Sequence, residues 1–203
     1  MKPVAEYSKL CSGVFAWQGF ETVVKCDCSS SALVTQAGLV FIDPIPLAEA
    51  ALKELIVESF SAPCAVVITS GNHQRESLGL AKQLGIPVFA PEEAGLDIMA
   101  DKRFLSSESI AGMESIPLPG FGPGETALLH EDVLIFGDAL INLEPEGLRL
   151  LPEKYRIDSR MALRSIASLL NLSPGVMLFA HGNPIVQNAA QRLESSLSDQ
   201  VTE

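Results

Sequence analysis

The chain has 203 residues, 14 basic and 25 acidic side chains, and a formal net charge of -11 at pH 7. With no basic surplus to release counterions, the composition disfavours nucleic acid and anionic membrane as partners. A chain of this length buries about 70% of its unfolded surface, so one domain spanning residues 1–203 needs no disulfide or structural metal to fold.

The N-terminal MKPVAEYSKL has no apolar run of signal-peptide length, and no stretch approaches about 18 uninterrupted apolar residues. The expected location is cytoplasmic. The four cysteines stand at 11, 26, 28 and 64. Cys26 and Cys28 lie two apart in an expected strand, so both side chains point to one face. A C-x-C pair can bind metal, but no second pair stands at zinc-site spacing, and reduced, partly buried thiols are the expectation.

Strands are expected at Val14–Trp17, Thr22–Cys26, Ala32–Thr35 and Leu39–Ile42, where β-formers cluster. Ala37-Gly38 turns the last two as a hairpin. Asp43-Pro44 then stops the strand, and Ala48, Ala51, Leu52, Leu55 and Ile56 recur at helical spacing. Ala65–Thr69 reads as a strand buried on both faces. The polar segment Ser70–Glu76 leads into a second helix carrying Leu80, Ala81 and Leu84, which Gly85 caps. Pro87–Ala90 reads as a parallel strand. Gly95–Gly112 is the least patterned stretch and suits a lid or an edge loop.

Further on, Thr126–His130 and Val133–Phe136 form a hairpin about Glu131-Asp132, with Gly137-Asp138 at the strand end. Residues 143–157 read as loop. Asp158 caps a helix carrying Ala162, Ile166, Leu169 and Leu170. Val176–Ala180 is a further apolar strand. Asn183-Pro184 has the chemistry of an N-cap and first position for a last helix carrying Ile185, Ala189, Leu193 and Leu197. Frayed chain is expected from Ser198. Two halves that mix hairpins with strand–helix units make a layered α/β domain.

Polar or glycine-rich sequence falls at four strand ends, where function gathers in such folds. These are Ser70–Arg75, Pro119–Gly124, Gly137-Asp138 and Ala180-His181-Gly182-Asn183. In order and spacing they resemble the metallo-β-lactamase superfamily, from about Ser31 to Ala190. The apolar strand ending in Asp43-Pro44, Leu118–Gly124, Phe136-Gly137-Asp138 and Ala180-His181-Gly182 carry the resemblance. It implies a four-layer αββα sandwich and metal-dependent hydrolysis.

The family's metal motif, His-x-His-x-Asp-His after a Thr, falls here on Ser70, Asn72, Gln74 and Arg75, behind Thr69. Phe121 stands where the next His is expected. Asp138 matches the bridging Asp and His181 the final His. Two of the seven ligand positions therefore keep a ligand type, and the resemblance implies a degraded metal site unable to hold two ions. The swap of a ligand position for Arg75, with Asp138 kept, suggests an Arg75–Asp138 ion pair standing in for the metal charge. His73 lies one residue beyond the second ligand position. A register slip would bring it into a one-ion set with Asp138 and His181.

Asp138 and His181 are the candidate catalytic residues, with Ser70, Asn72, His73, Arg75, Phe121 and Asn183 as candidate cleft residues. Glu76 and Glu125 are weaker candidates for acid–base work. His130 is expected in an exposed turn, and Tyr7, Trp17 and Phe20 in a core or interface. The glycines of 120–124 lack the lysine and helix of a phosphate loop and serve a tight turn. Two functions stay open: a metallo-β-lactamase-like hydrolase with a reduced metal site, or a metal-free module that binds a small molecule or a partner. No cofactor is the first expectation and one zinc or iron ion the alternative. A homodimer is the default assembly.

Overall fold

The computed structural model describes residues 1–22, 25–105 and 107–201. A seven-stranded sheet runs in chain order through β1 (Ser8–Cys11), β2 (Val14–Glu21), β3 (Cys26–Thr35), β4 (Gly38–Ile42), β5 (Pro63–Val67), β6 (Val88–Pro91) and β7 (Lys102–Phe104). Helix α1 (Glu49–Ser59) crosses from β4 to β5, and α2 (Ser77–Leu84) from β5 to β6. A second sheet of five strands has the order β14-β11-β10-β9-β8. Its members are β8 (Ser109–Ile110), β9 (Met113–Pro117), β10 (Thr126–His130), β11 (Val133–Phe136) and β14 (Val176–Phe179). A two-stranded ribbon, β12 (Leu140–Leu143) with β13 (Gly147–Leu150), stands apart, and α3 (Ser159–Ser168) and α4 (Ala189–Val201) complete the chain.

Strand alternation builds the layers. On β4, Val40 and Ile42 face the other sheet while Leu39 and Phe41 face α1 and α2. On β11, Val133 and Ile135 face the first sheet while Leu134 and Phe136 face α3 and α4. Every face of the two sheets is thereby apolar, which explains why β5 and β11 read as unbroken hydrophobic runs. The result is the expected αββα order, helices outside and two sheets packed face to face between them.

Local signals account for two of the helix ends. Asp158 Oδ1 accepts the Met161 amide at 2.9 Å and starts α3. Gly85 ends α2 in the left-handed conformation at φ 67°. Asn183-Pro184 does not start α4, which begins at Ala189 instead. Ile185 exchanges both backbone hydrogen bonds with Met177, at 2.8 and 2.9 Å, so this stretch is held as a bridge beside β14 before the helix can begin. α4 continues through Val201, past the expected fraying point at Ser198.

Other expectations change as well. Of the strand expected at Thr22–Cys26, Cys26 opens β3 and pairs with Glu21 at the end of β2; Val23 and Val24 lie outside the described residues. Gly95–Gly112 is no lid, since it supplies β7, paired parallel to β6, and β8, paired with β9. Residues 143–157 hold β13 and a short 3-10 turn at Glu153–Tyr155. Phe20 is exposed, whereas Trp17 is buried and donates from Nε1 to Ile45 O at 3.0 Å. His130 ends β10 half-buried, with Nδ1 3.0 Å from Gly112 O.

Candidate active site

The cleft forms at the ends of β4, β5, β11 and β14. Asp43 leaves β4 with a left-handed backbone, φ 45°, and Arg75 adopts φ 37° in the turn after β5. Such conformations are costly for residues with a side chain and recur where a site is held in a fixed geometry. Gly182 has φ +100°, and a Cβ there would meet Asn142 O at 2.1 Å, so only glycine lets the His181 loop lie against β12. The cavity measures about 1040 Å³, and Asn72, His73, Arg75, Asp138 and His181 line it together with Cys26 and Cys28.

His73 is the centre of the site. Its Nδ1 lies 3.0 Å from Asp43 Oδ2 and its Nε2 3.1 Å from Asp138 Oδ1. A carboxylate oxygen at each nitrogen favours the doubly protonated, positively charged ring. Burial opposes that charge, but the two carboxylates outweigh burial and hold the pKa up to about 10. The Thr69 amide donates to Asp43 Oδ1 at 2.8 Å, and the Thr69 hydroxyl donates to Asp43 Oδ2. Burial would raise the Asp43 carboxyl, but His73, with help from Arg75 and Thr69, holds it below the usual range.

Asp138 is shared. Oδ1 faces His73 and, at 3.3 Å, His181 Nε2, while Asn72 Nδ2 donates to Oδ2 at 2.9 Å. Burial pushes this carboxyl up, and these neighbours together depress it strongly. His181 is raised: burial works against its charge, and the bonds to Asp138 and Cys28 prevail.

Arg75 does not pair with Asp138. Nη1 donates to Ser29 O at 2.7 Å and Asp43 O at 3.1 Å, and Nη2 to Ala180 O at 3.1 Å. Nη2 also lies 3.5 Å from His181 Nε2. Three carbonyls at converging strand ends accept from the guanidinium, and the ring that faces Asp138 Oδ1 is that of His73. Ser70, Phe121 and Asn183 do not line the main cavity. Ser70 is fully buried, and its Oγ accepts the Asn72 amide at 3.2 Å. Phe121 packs in the core under α3. Asn183 is exposed, and its carbonyl accepts from Asn142 Nδ2 at 2.7 Å.

Two residues enter that the sequence left at the margin. Glu125 is buried, its Oε1 accepts the Ala139 amide at 2.9 Å, and its Oε2 has no hydrogen-bond partner among the described residues. Burial and the Asp138 charge push it up to about 8. Asp43 was legible as a strand stop and as part of the family resemblance, without a role in the site. Glu76, by contrast, sits exposed at the cleft rim.

The described residues contain two sets of side chains whose ligand atoms lie within 4.8 Å of one another: His73, Asp138 and His181, and Cys26, Cys28 and His181.

A family model described as the metallo-β-lactamase superfamily matches residues 8–199, and the chain belongs to that superfamily. The structure is similar to the DIM-1 metallo-β-lactamase, with a TM-score of 0.75, 14% identity, and 98% of this chain and 99% of that one covered. A metallo-β-lactamase from Pontibacter korlensis gives 0.72 at 18% identity, with 96% and 99% covered. A metallo-β-lactamase family protein from Thermus thermophilus gives 0.66 at 19%, with 96% and 81% covered. No curated protein matches the chain by sequence. No helix among the described residues is long and apolar enough to cross a membrane.

Proposed function

We infer that this is a hydrolase-type scaffold on which side-chain charges replace the two-metal centre, leaving a cleft that binds a small organic molecule. The observation that carries the reading is His73, buried, with one carboxylate on each ring nitrogen. Its single positive charge answers Asp138 where a dication would, and the same ring ties Asp138 to Asp43.

The other ligand positions fit two ions poorly. Phe121 offers no donor atom and lies in the core. Gln74 turns away, its Oε1 accepting the Met99 amide at 3.2 Å. Asn72 donates to Asp138, and Arg75 brings a permanent charge to within 3.5 Å of His181 Nε2, where it repels a cation. The cavity has the size of a small-molecule site, and apolar Ile45, Ile141, Leu143 and Tyr155 line it beside Arg75 and Arg149.

The test is nitrogen NMR of the ring. His73 is expected to carry protons on both nitrogens at pH 7, unchanged by excess zinc or by chelator. Loss of a His73 ring proton at stoichiometric zinc would overturn the reading. That outcome would favour a second one, a one-ion hydrolase, which the convergence of His73, Asp138 and His181 supports. Those three would hold the ion, which would supply Lewis acidity and a water of lowered pKa. Asp43 would then orient His73 through Nδ1, as carboxylates do for metal-binding histidines.

A further inference from the structure

We propose that Cys26, Cys28 and the Nδ1 of His181 form a zinc site of the two-cysteine, one-histidine type, open to the main cleft. Neither thiol falls on a ligand position of the family's motif. They come instead from the first residues of β3, which the hairpin and the His181 loop bring together.

The placement rests on geometry. Cys26 and Cys28 stand two apart on β3, so their side chains share a face. Cys26 Sγ lies 3.6 Å from His181 Nδ1, and the three ligand atoms lie within 4.8 Å of one another. A sulfur and a nitrogen bound to one tetrahedral zinc, at about 2.3 and 2.0 Å, are themselves separated by about 3.6 Å. The scaffold behind the site is fixed. The Ser29 amide donates to Ala180 O at 2.7 Å, Ser29 Oγ donates to Gly182 O at 2.8 Å, and Arg75 bonds both strands. β3 and the His181 loop therefore hold their spacing without an ion.

The far side of the ring completes the arrangement. His181 Nε2 faces Asp138 Oδ1 at 3.3 Å, so Asp138 becomes the carboxylate that orients a metal-binding histidine through its other nitrogen. His181 Nδ1 also lies 2.9 Å from Asp27 O. Binding therefore exchanges an N–H···O bond for a nitrogen–metal bond, and the proton leaves with those of the two thiols. Three protein ligands leave the fourth tetrahedral position to water, and all three side chains line the wall of the 1040 Å³ cavity. A thiolate-bound ion with an open position thus faces the cleft on the opposite side of His181 from His73. None of the three ligand atoms is shared with His73, whose ring nitrogens face Asp43 and Asp138.

The experiment is a cobalt(II) titration of the reduced full-length protein, with zinc competition. Binding of one ion with a near-ultraviolet thiolate-to-cobalt charge-transfer band is expected, and zinc should bleach it. Cys26→Ser/Cys28→Ser should abolish the band and weaken binding at least 100-fold. Since that variant could misfold, wild-type protein is also alkylated with iodoacetamide: zinc should protect Cys26, the more accessible of the two thiols, and leave exposed Cys11 reactive. No charge-transfer band, or no protection, overturns the site. Cobalt binding without the band, persisting in the double variant, overturns it too and moves the ion to His73, Asp138 and His181, against the charge-network reading. Absence of any binding overturns the thiolate site alone.

Discussion

Replacing His73 by glutamine isolates the charge at the centre of the cleft. The amide keeps polar atoms in the ring's place and removes the positive charge, leaving Asp43, 2% exposed, and Asp138, 8% exposed, without it. Breaking a buried pair by removing one partner costs about 3–5 kcal/mol. For a domain of this size each kcal/mol lowers Tm by about 2–4 °C, so a drop on the order of 10 °C is expected. The pH dependence gives the sharper readout. The folded-state pKa of His73, about 10, lies above its ordinary value. Its stabilisation is therefore complete below pH about 6.5 and is lost as the pH rises through about 10. On the acid side, Asp43 and Asp138 are depressed, so their contribution is present above the ordinary carboxylate range and lost as pH falls below it. The gap between wild type and His73→Gln, measured by urea unfolding, should be widest near pH 6 and narrow towards pH 10. His73→Gln/Asp138→Asn should recover part of the loss, because it removes one of the stranded charges. A gap that stays constant from pH 6 to pH 10.5, or one below about 1 kcal/mol, refutes the imidazolium assignment.

Arg75→Lys should cost about 2–3 kcal/mol in urea, because one ammonium cannot serve three carbonyls that a planar guanidinium reaches with two nitrogens. Glu125→Gln should raise Tm at pH 8.5 and leave it nearly unchanged at pH 4.5. The wild-type carboxyl, held up to about 8, loses stability as the pH climbs from its ordinary value through 8, and an amide has no such penalty. Asp158→Ala should cost about 1 kcal/mol, the usual loss for an N-cap, measured as a shift in the urea midpoint without loss of secondary structure by circular dichroism.

The layers were legible because both sheets are buried on both faces. β5 and β11 appear in sequence as uninterrupted apolar runs, and only strands covered on each side read that way. The helices were legible where a cap or a glycine marked an end, as at Asp158 and Gly85. Edges were less so. β7, β8 and β13 are two to four residues long, too short to show a period of two. Ile185 shows the other failure: the Asn183-Pro184 signal is sound locally, but a pair of backbone bonds to Met177 outcompetes it.

The site was legible in its composition and not in its pairing, and the turn after β5 explains why. Along a strand, the alternation of faces would tell which of Asn72, His73 and Arg75 meets Asp138. β5 ends at Val67, however, and His73 lies in a turn closed by its own amide on Ser70 O at 3.1 Å. Counting from Thr69 therefore fixes where the residues are and leaves open where they point. The left-handed backbone at Arg75 then swings its side chain back towards the carbonyls of Ser29, Asp43 and Ala180. Those acceptors are main-chain atoms, which any sequence supplies, so no residue pattern announces them. Charge alone pointed to an Arg75–Asp138 pair, since both were expected to face one cleft. Hydrogen-bond capacity decides otherwise: five guanidinium donors are better matched by several carbonyls than by one carboxylate already shared among His73, His181 and Asn72. The same reasoning accounts for the thiols. Cys26 and Cys28 have no partner within zinc-motif spacing in the sequence, and the His181 ring that the fold brings beside Cys26 Sγ lies 155 residues from it, where the sequence grouped it only with His73 and Asp138.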